Sequence, residues 1–296
     1  MSIEFKGVYC VAVTPFRENG EFDYGKAKAH VDYLIENGVH GLVLLGATGE
    51  YMSVGDGEHK EYVREMAAYV GHRVPVIVGA TRERPDDAIG LALNAKLAGA
   101  DAAMVLPPYY CHPSQAEVVE NYRYIGEKTE FPLMAYNNPG SCGISLERET
   151  LREIFKIPQV RLVKESSGSI QKLTEVLADA PPRIAAFCGC DTLPLESFAI
   201  GSPGWICMLA NVAPRNCVAL FDAVYSRRDM AEGMEIYRRI LPALAHLESY
   251  SKPVQSLKYL LNRKTGNGGY VRRPRRELGE SEKAFVAESM RAGEIE

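Results

Sequence analysis

The 296-residue chain has no apolar run approaching the ~18 residues that a membrane-spanning helix requires. It also has little excess charge. A net charge of −4 at pH 7 gives no electrostatic reason to expect nucleic acid or an anionic membrane as partner. Seven cysteines lie scattered at positions 10, 111, 142, 188, 190, 207 and 217, with no CxxC pair and no His/Cys spacing of the kind a structural zinc site needs. They read as reduced thiols, and no metal is expected. The start, Met1 to Gly7, lacks the charged flank and apolar core of a secretory signal. What is present is ordinary for a folded protein: 46% hydrophobic, 24% charged and 9% aromatic residues exclude a disordered or low-complexity chain. The expectation is a cytoplasmic enzyme acting on a small molecule.

Short apolar runs recur along the chain, at Val8 to Val13, Gly41 to Leu45, Val74 to Val78, Ala102 to Leu106, Leu133 to Tyr136, Val160 to Val163, Ile184 to Cys188 and Trp205 to Leu209. Continuous runs, rather than alternation, mark strands covered on both faces, the habit of parallel sheets. Helical spacing fills the gaps, over Tyr24 to Asn37, Gly57 to Tyr69, Arg84 to Ala98, Gln115 to Lys128, Ser145 to Lys156 and Ile170 to Ala178. The pattern predicts an α/β chain folded as a (β/α)8 TIM barrel with a C-terminal helical extension. The barrel is expected over residues 1–227 and the helical region over 228–296. An open doubly wound sheet is the runner-up. Against it, the first strand leads into Val13-Thr14-Pro15-Phe16, with no glycine cradle for a pyrophosphate. The cluster Arg272-Arg273-Pro274-Arg275-Arg276 reads as a solvated loop or interface edge ahead of a nucleic-acid patch.

In such a barrel the active site lies at the C-terminal ends of the strands. Polar groups there that packing does not explain occur in Gly46-Ala47-Thr48-Gly49-Glu50, Pro107-Pro108-Tyr109-Tyr110, Tyr136-Asn137-Asn138-Pro139-Gly140 and Val163-Lys164-Glu165-Ser166-Ser167-Gly168. Lys164 closes an apolar run, so its amine is aimed at the barrel mouth. Apolar surroundings disfavour an ammonium and free the amine to attack a carbonyl carbon, as a Schiff base requires. The competing reading is a lysine that reaches solvent or pairs with Glu165. Tyr136 closes the neighbouring strand and can carry the proton that carbinolamine formation and dehydration need, or it is a half-buried core tyrosine. Thr48 sits in a glycine-flanked turn whose hydroxyl and backbone N–H groups suit a carboxylate, although such turns are common.

These four segments, in this order, resemble the dihydrodipicolinate synthase / N-acetylneuraminate lyase family of class I, Schiff-base-forming pyruvate aldolases and lyases. The similarity runs from Gly7 to about the end of the chain. It implies that Lys164 forms the imine, that Tyr136 carries protons and contacts the 2-keto acid's carboxylate, and that Thr48 binds that carboxylate. Tyr110 resembles the tyrosine that the family inserts into a neighbouring subunit's site, which implies a homotetramer built as a dimer of dimers. Gly189 and Ile206 match positions lining the pyruvate pocket. Because the protonated imine is itself the electron sink, no cofactor is expected.

Two departures concern the second substrate. The synthases carry a relay hydroxyl where this chain has Ala47, and an arginine for the carboxylate of aspartate semialdehyde where it has Ser141. Tyr51 and Asp56 also differ from the positions where lysine-inhibited synthases bind lysine. Asn138, Ser141 and Cys142 make that side of the site small, neutral and hydrogen-bonding. The expectation is therefore a lyase or aldolase that cleaves, condenses or dehydrates a keto acid other than the semialdehyde adduct. An authentic 4-hydroxy-tetrahydrodipicolinate synthase, a 2-keto-3-deoxy-acid dehydratase and a hydroxy-pyrroline-carboxylate deaminase remain alternatives. From a different class, so does a small-molecule-binding pseudoenzyme.

Overall fold

A computed structural model describes residues 4–292, so the signal-free reading of Met1 to Ile3 lies outside the described residues. Eight parallel strands close into a barrel: β1 (Gly7–Val11), β2 (Gly41–Leu44), β3 (Val76–Gly79), β4 (Ala102–Val105), β5 (Leu133–Asn137), β6 (Val160–Glu165), β7 (Ala185–Cys188) and β8 (Gly204–Cys207). Pairing of β1 with β8, Tyr9 against Ile206, removes both sheet edges and rules out the open-sheet runner-up. The expected (β/α)8 barrel with helices following it is the fold observed.

Helices α1 (Tyr24–Glu36), α2 (Asp56–Val70), α3 (Pro85–Leu97), α4 (Gln115–Thr129), α5 (Pro139–Cys142), α6 (Arg148–Ile154), α7 (Ile170–Asp179), α8 (Pro194–Ala199) and α9 (Pro214–Phe221) connect and cover the strands. Their starts follow the usual chemistry. Asp23 accepts the Lys26 N–H ahead of α1, a Ser114/Glu117 capping box opens α4, and proline opens α3. Strand residues are buried almost throughout because one face fills the barrel and the other meets the helices. The inner core stacks Tyr9, Met134, Leu162, Phe187 and Ile206.

β8 is shorter than the apolar run that predicts it, stopping at Cys207 rather than Leu209. The buried carboxylate of Asp191, after β7, accepts the N–H groups of Met208 and Leu209 and draws the chain into a 3₁₀ turn. No helix among the described residues is long and apolar enough to cross a membrane.

Beyond the barrel, α10 (Met230–Ser249), α11 (Pro253–Thr265) and α12 (Glu280–Ala292) pack together. They are tied to the strand-end turns by charge. Lys258 on α11 donates to Glu50, in the turn after β2, at 2.5 Å, and both side chains are shut off from solvent. Lys258 also reaches the Tyr270 carbonyl at 2.6 Å and lies 4.6 Å from the centre of the Phe16 ring. Burial pulls its ammonium down to about 8, against the opposing pull of Glu50.

The arginine cluster is not a simple solvated loop. Arg272 makes paired bonds to Glu58 at 2.7 and 2.9 Å, stacks 4.5 Å from the Phe16 ring centre and reaches the Ser53 carbonyl, while Arg275 stands 3.7 Å from Glu50. The segment's inner side chains fasten it to the turn after β2.

A buried pair stripped of one partner leaves an uncompensated charge, which costs about 3 to 5 kcal/mol. Glu50→Gln and Lys258→Met are each expected to lose stability of that order in urea unfolding, and the double variant to recover most of it. Singles as stable as the wild type would show that the pair contributes nothing.

Candidate active site

The site is built where β5 and β6 end. Parallel pairing sets Tyr136 directly beside Lys164, and alternation along β6 turns Lys164 inward and Glu165 outward. Lys164 is 7% exposed, and its Nζ lies 4.2 Å from the centre of the Tyr136 ring. The lysine therefore neither reaches solvent nor pairs with Glu165. Glu165 is engaged elsewhere: it accepts from Asn137 Nδ2 and from the Ser167 N–H, both at 2.7 Å. Asn137 Oδ1 in turn accepts the Leu146 N–H at 2.9 Å. This buried amide–carboxylate link locks the two strand ends that carry Tyr136 and Lys164.

Gly189, after β7, faces the lysine stem. A Cβ there would sit 1.9 Å from Ser166 Oγ and 2.8 Å from both Cγ and Cε of Lys164. Glycine is what lets the side chain run straight. Ser166 Oγ is itself buried without a hydrogen-bond partner among the described residues. Sequence reasoning passed over Ser166 because nothing in the sequence separates it from Ser167.

Thr48 is buried in a tight turn after β2. The turn is entered through Leu45 in the left-handed region, at φ 49°, and left through Glu50, at φ 59°. It presses against β3, where a Cβ on Gly79 would meet the Leu45 carbonyl at 2.1 Å. Thr14 Oγ1 fastens the turn to the one after β1 by donating to the Gly49 carbonyl at 2.8 Å.

Ala47 from this turn, Tyr136 and Ser141 line one cavity of about 90 Å³, with Thr81, Met104 and Tyr109. Among the described residues, no lysine, arginine or histidine lines it. Tyr51, one of the residues flagged at the altered lysine-site positions, also lines it. Burial pushes its phenol up to about 12. Asn138 Nδ2 donates to the Tyr136 hydroxyl at 2.7 Å. Ile206 lies in the same barrel-interior cluster as Tyr136.

Tyr110 does not join this chain's own site. It is 85% exposed and points outward, while its backbone N–H and that of Tyr109 are held by the Glu83 carboxylate at 3.2 and 3.0 Å. The structure thus gathers Lys164, Tyr136, Gly189, Ala47, Asn138 and Ser141 at one end of the barrel, with Thr48 in the adjoining turn.

A model of the dihydrodipicolinate synthetase family matches residues 4–292. The chain is 32% identical to a 4-hydroxy-tetrahydrodipicolinate synthase of Geobacter metallireducens over 98% of its own length and 99% of the relative's. It is 31% identical to the enzyme of that name from Methanocaldococcus jannaschii, over 95% and 96%. Among solved structures, a dihydrodipicolinate synthase of Acinetobacter baumannii complexed with pyruvate superposes with a TM-score of 0.93 at 27% identity, covering 99% of this chain and 100% of that one. One from Bacillus anthracis gives 0.93 at 28% identity over 98% of each. Matching along nearly its whole length, the chain belongs to the dihydrodipicolinate synthetase family and is a lyase of that family.

Proposed function

We propose that Lys164 forms a Schiff base with pyruvate or a related 2-keto acid. The observation that carries this reading is a buried lysine amine held against the face of a tyrosine at paired strand ends. In this scheme Nζ attacks C2, the carbonyl oxygen takes a proton through the Tyr136 hydroxyl, and loss of water leaves a protonated imine. The imine withdraws electrons from the neighbouring carbon, so that a carbon–carbon or carbon–oxygen bond of the substrate can be made or broken. The carboxylate rests against the Thr48 turn, while Gly189 and Ile206 shape the keto-acid pocket. Among the described residues, the helices after residue 227 brace the catalytic barrel that precedes them. Tyr110 projects into the neighbouring subunit's site, in a homotetramer.

For the second substrate, the cavity beside Tyr136 favours a neutral, hydroxylated or cyclic keto-acid chain. Its lining offers hydroxyls and apolar groups but, among the described residues, no cation, and Ser141 cannot make the paired contact an arginine makes with a carboxylate. The relatives' shared name keeps the pyruvate and aspartate semialdehyde reaction as a second reading.

Borohydride with pyruvate is expected to add the mass of a reduced adduct that Lys164→Ala abolishes; an adduct mapped to Lys172 or Lys96 would refute the assignment. Tyr136→Phe is expected to fold normally and lose on the order of 10²-fold in turnover, and near-normal turnover would make Tyr136 a packing residue. Gly189→Ala should remain folded but trap pyruvate poorly, because its Cβ displaces the Lys164 stem; unchanged trapping would show that the stem has room. A fully active monomer at nanomolar concentration would contradict the role given to Tyr110. In a panel of 2-keto-3-deoxy sugar acids, hydroxylated pyrroline carboxylates and aspartate semialdehyde, the semialdehyde is expected to be the poorer substrate by roughly 10- to 150-fold, the worth of a lost charge-assisted bond. Efficient semialdehyde turnover would restore the synthase reading.

A further inference from the structure

Among the described residues, the Tyr136 hydroxyl has one hydrogen-bond partner, Asn138 Nδ2 at 2.7 Å. The direction of that bond is fixed by the other end of the same amide. Asn138 caps α5, and its Oδ1 accepts the Ser141 N–H at 3.2 Å. With the carbonyl end facing a backbone donor, the NH₂ end must face the phenol. The phenol oxygen is therefore the acceptor, and its own hydrogen is left out of the bond. Across the cavity, position 47 presents a methyl group that can neither donate nor accept.

We infer that Asn138 is a positioning residue for proton transfer at the lysine, taking the place of a hydroxyl at position 47 as the group that orients the Tyr136 phenol. The inference rests on the reading of Lys164 and Tyr136 given above. As the Nζ–C2 bond forms, the phenol gives its proton to the oxygen on C2. The phenolate left behind is held by the Asn138 N–H. The proton lost from nitrogen then restores the phenol, which gives its proton a second time, to the C2 hydroxyl; the C–O bond breaks, water leaves with its electron pair, and a protonated imine and a phenolate held by Asn138 remain. A side chain at 138 that cannot donate leaves that phenolate unsupported. One that can only accept also captures the phenol hydrogen.

The test compares Asn138→Ala, Asn138→Asp, Ala47→Thr and the double variant Ala47→Thr/Asn138→Ala. Two readouts need no second substrate: the rate of borohydride-trappable adduct formation with pyruvate, and deuterium uptake into the pyruvate methyl group in D₂O, followed by NMR. Near-ultraviolet circular dichroism checks that each variant is folded. Asn138→Ala is expected to slow adduct formation roughly 10- to 100-fold, the effect of removing a hydrogen bond to a charged group, with the pyruvate concentration giving half-maximal rate changed little. Asn138→Asp should be slower still, and adding Ala47→Thr to Asn138→Ala should restore most of the rate. An Asn138→Ala rate within about twofold of wild type would overturn the inference, as would a slowing that the added Ala47→Thr change does not relieve. Wild-type protein that traps no adduct would sink the underlying reading and this inference with it. A trapping wild type whose Asn138 variants match it would sink this inference alone.

Discussion

The arrangement at the barrel mouth depends on keeping one lysine side chain extended in the crowded end of a closed sheet. Lys164 passes so close to the neighbouring turn that a single carbon on Gly189 would overlap its stem. Its amine is set over the Tyr136 ring by parallel register, not by an ion pair. Register in a closed barrel is not locally adjustable, because sliding one strand disturbs every other. The Asn137–Glu165 link adds a direct tie between the two strands just past the reacting side chains. A flexible amine is thereby held in one orientation with no ion pair to it among the described residues, which suits a group that must add to a carbonyl.

The helices after the barrel contribute through charges that reach the backs of the active-site turns. Glu50 lies two residues past Thr48, in the left-handed region, and is fastened by Lys258 from α11. The N–H of Asp191, after β7, is held by Glu248 from α10 at 2.7 Å, while the Asp191 carboxylate organises the end of β8. Two sides of the mouth are therefore braced from the C-terminal region. Its packing bears on the shape of the site although none of α10 to α12 lines the cavity beside Tyr136.

Much of this was legible in the sequence. All eight strands lie where apolar runs predict them, because a strand covered on both faces must be apolar throughout. Lys164 and Tyr136 stand out because they are the polar ends of such runs. The short helices α5 and α8 were missed, since four and six residues are too few to show a helical period. The brace was hidden for another reason: Glu50 and Lys258 are 208 positions apart, and nothing local to either marks it as half of a buried pair. Asn138 could be read as a polar residue near the site. Its bond to Tyr136 depends on the cap of α5, a detail of backbone geometry that the sequence does not display.

The central claim is that the Lys164 amine, held against Tyr136, bonds covalently to the keto carbon. A crystal structure of the protein soaked with pyruvate tests it most directly. The account predicts continuous density from Lys164 Nζ to C2, the carboxylate against the N–H groups of the Thr48 turn, and the Tyr136 hydroxyl within hydrogen-bond reach of the new linkage. Pyruvate bound without a covalent bond, its carboxylate paired with an intact Lys164 ammonium, or an adduct on another lysine would contradict it.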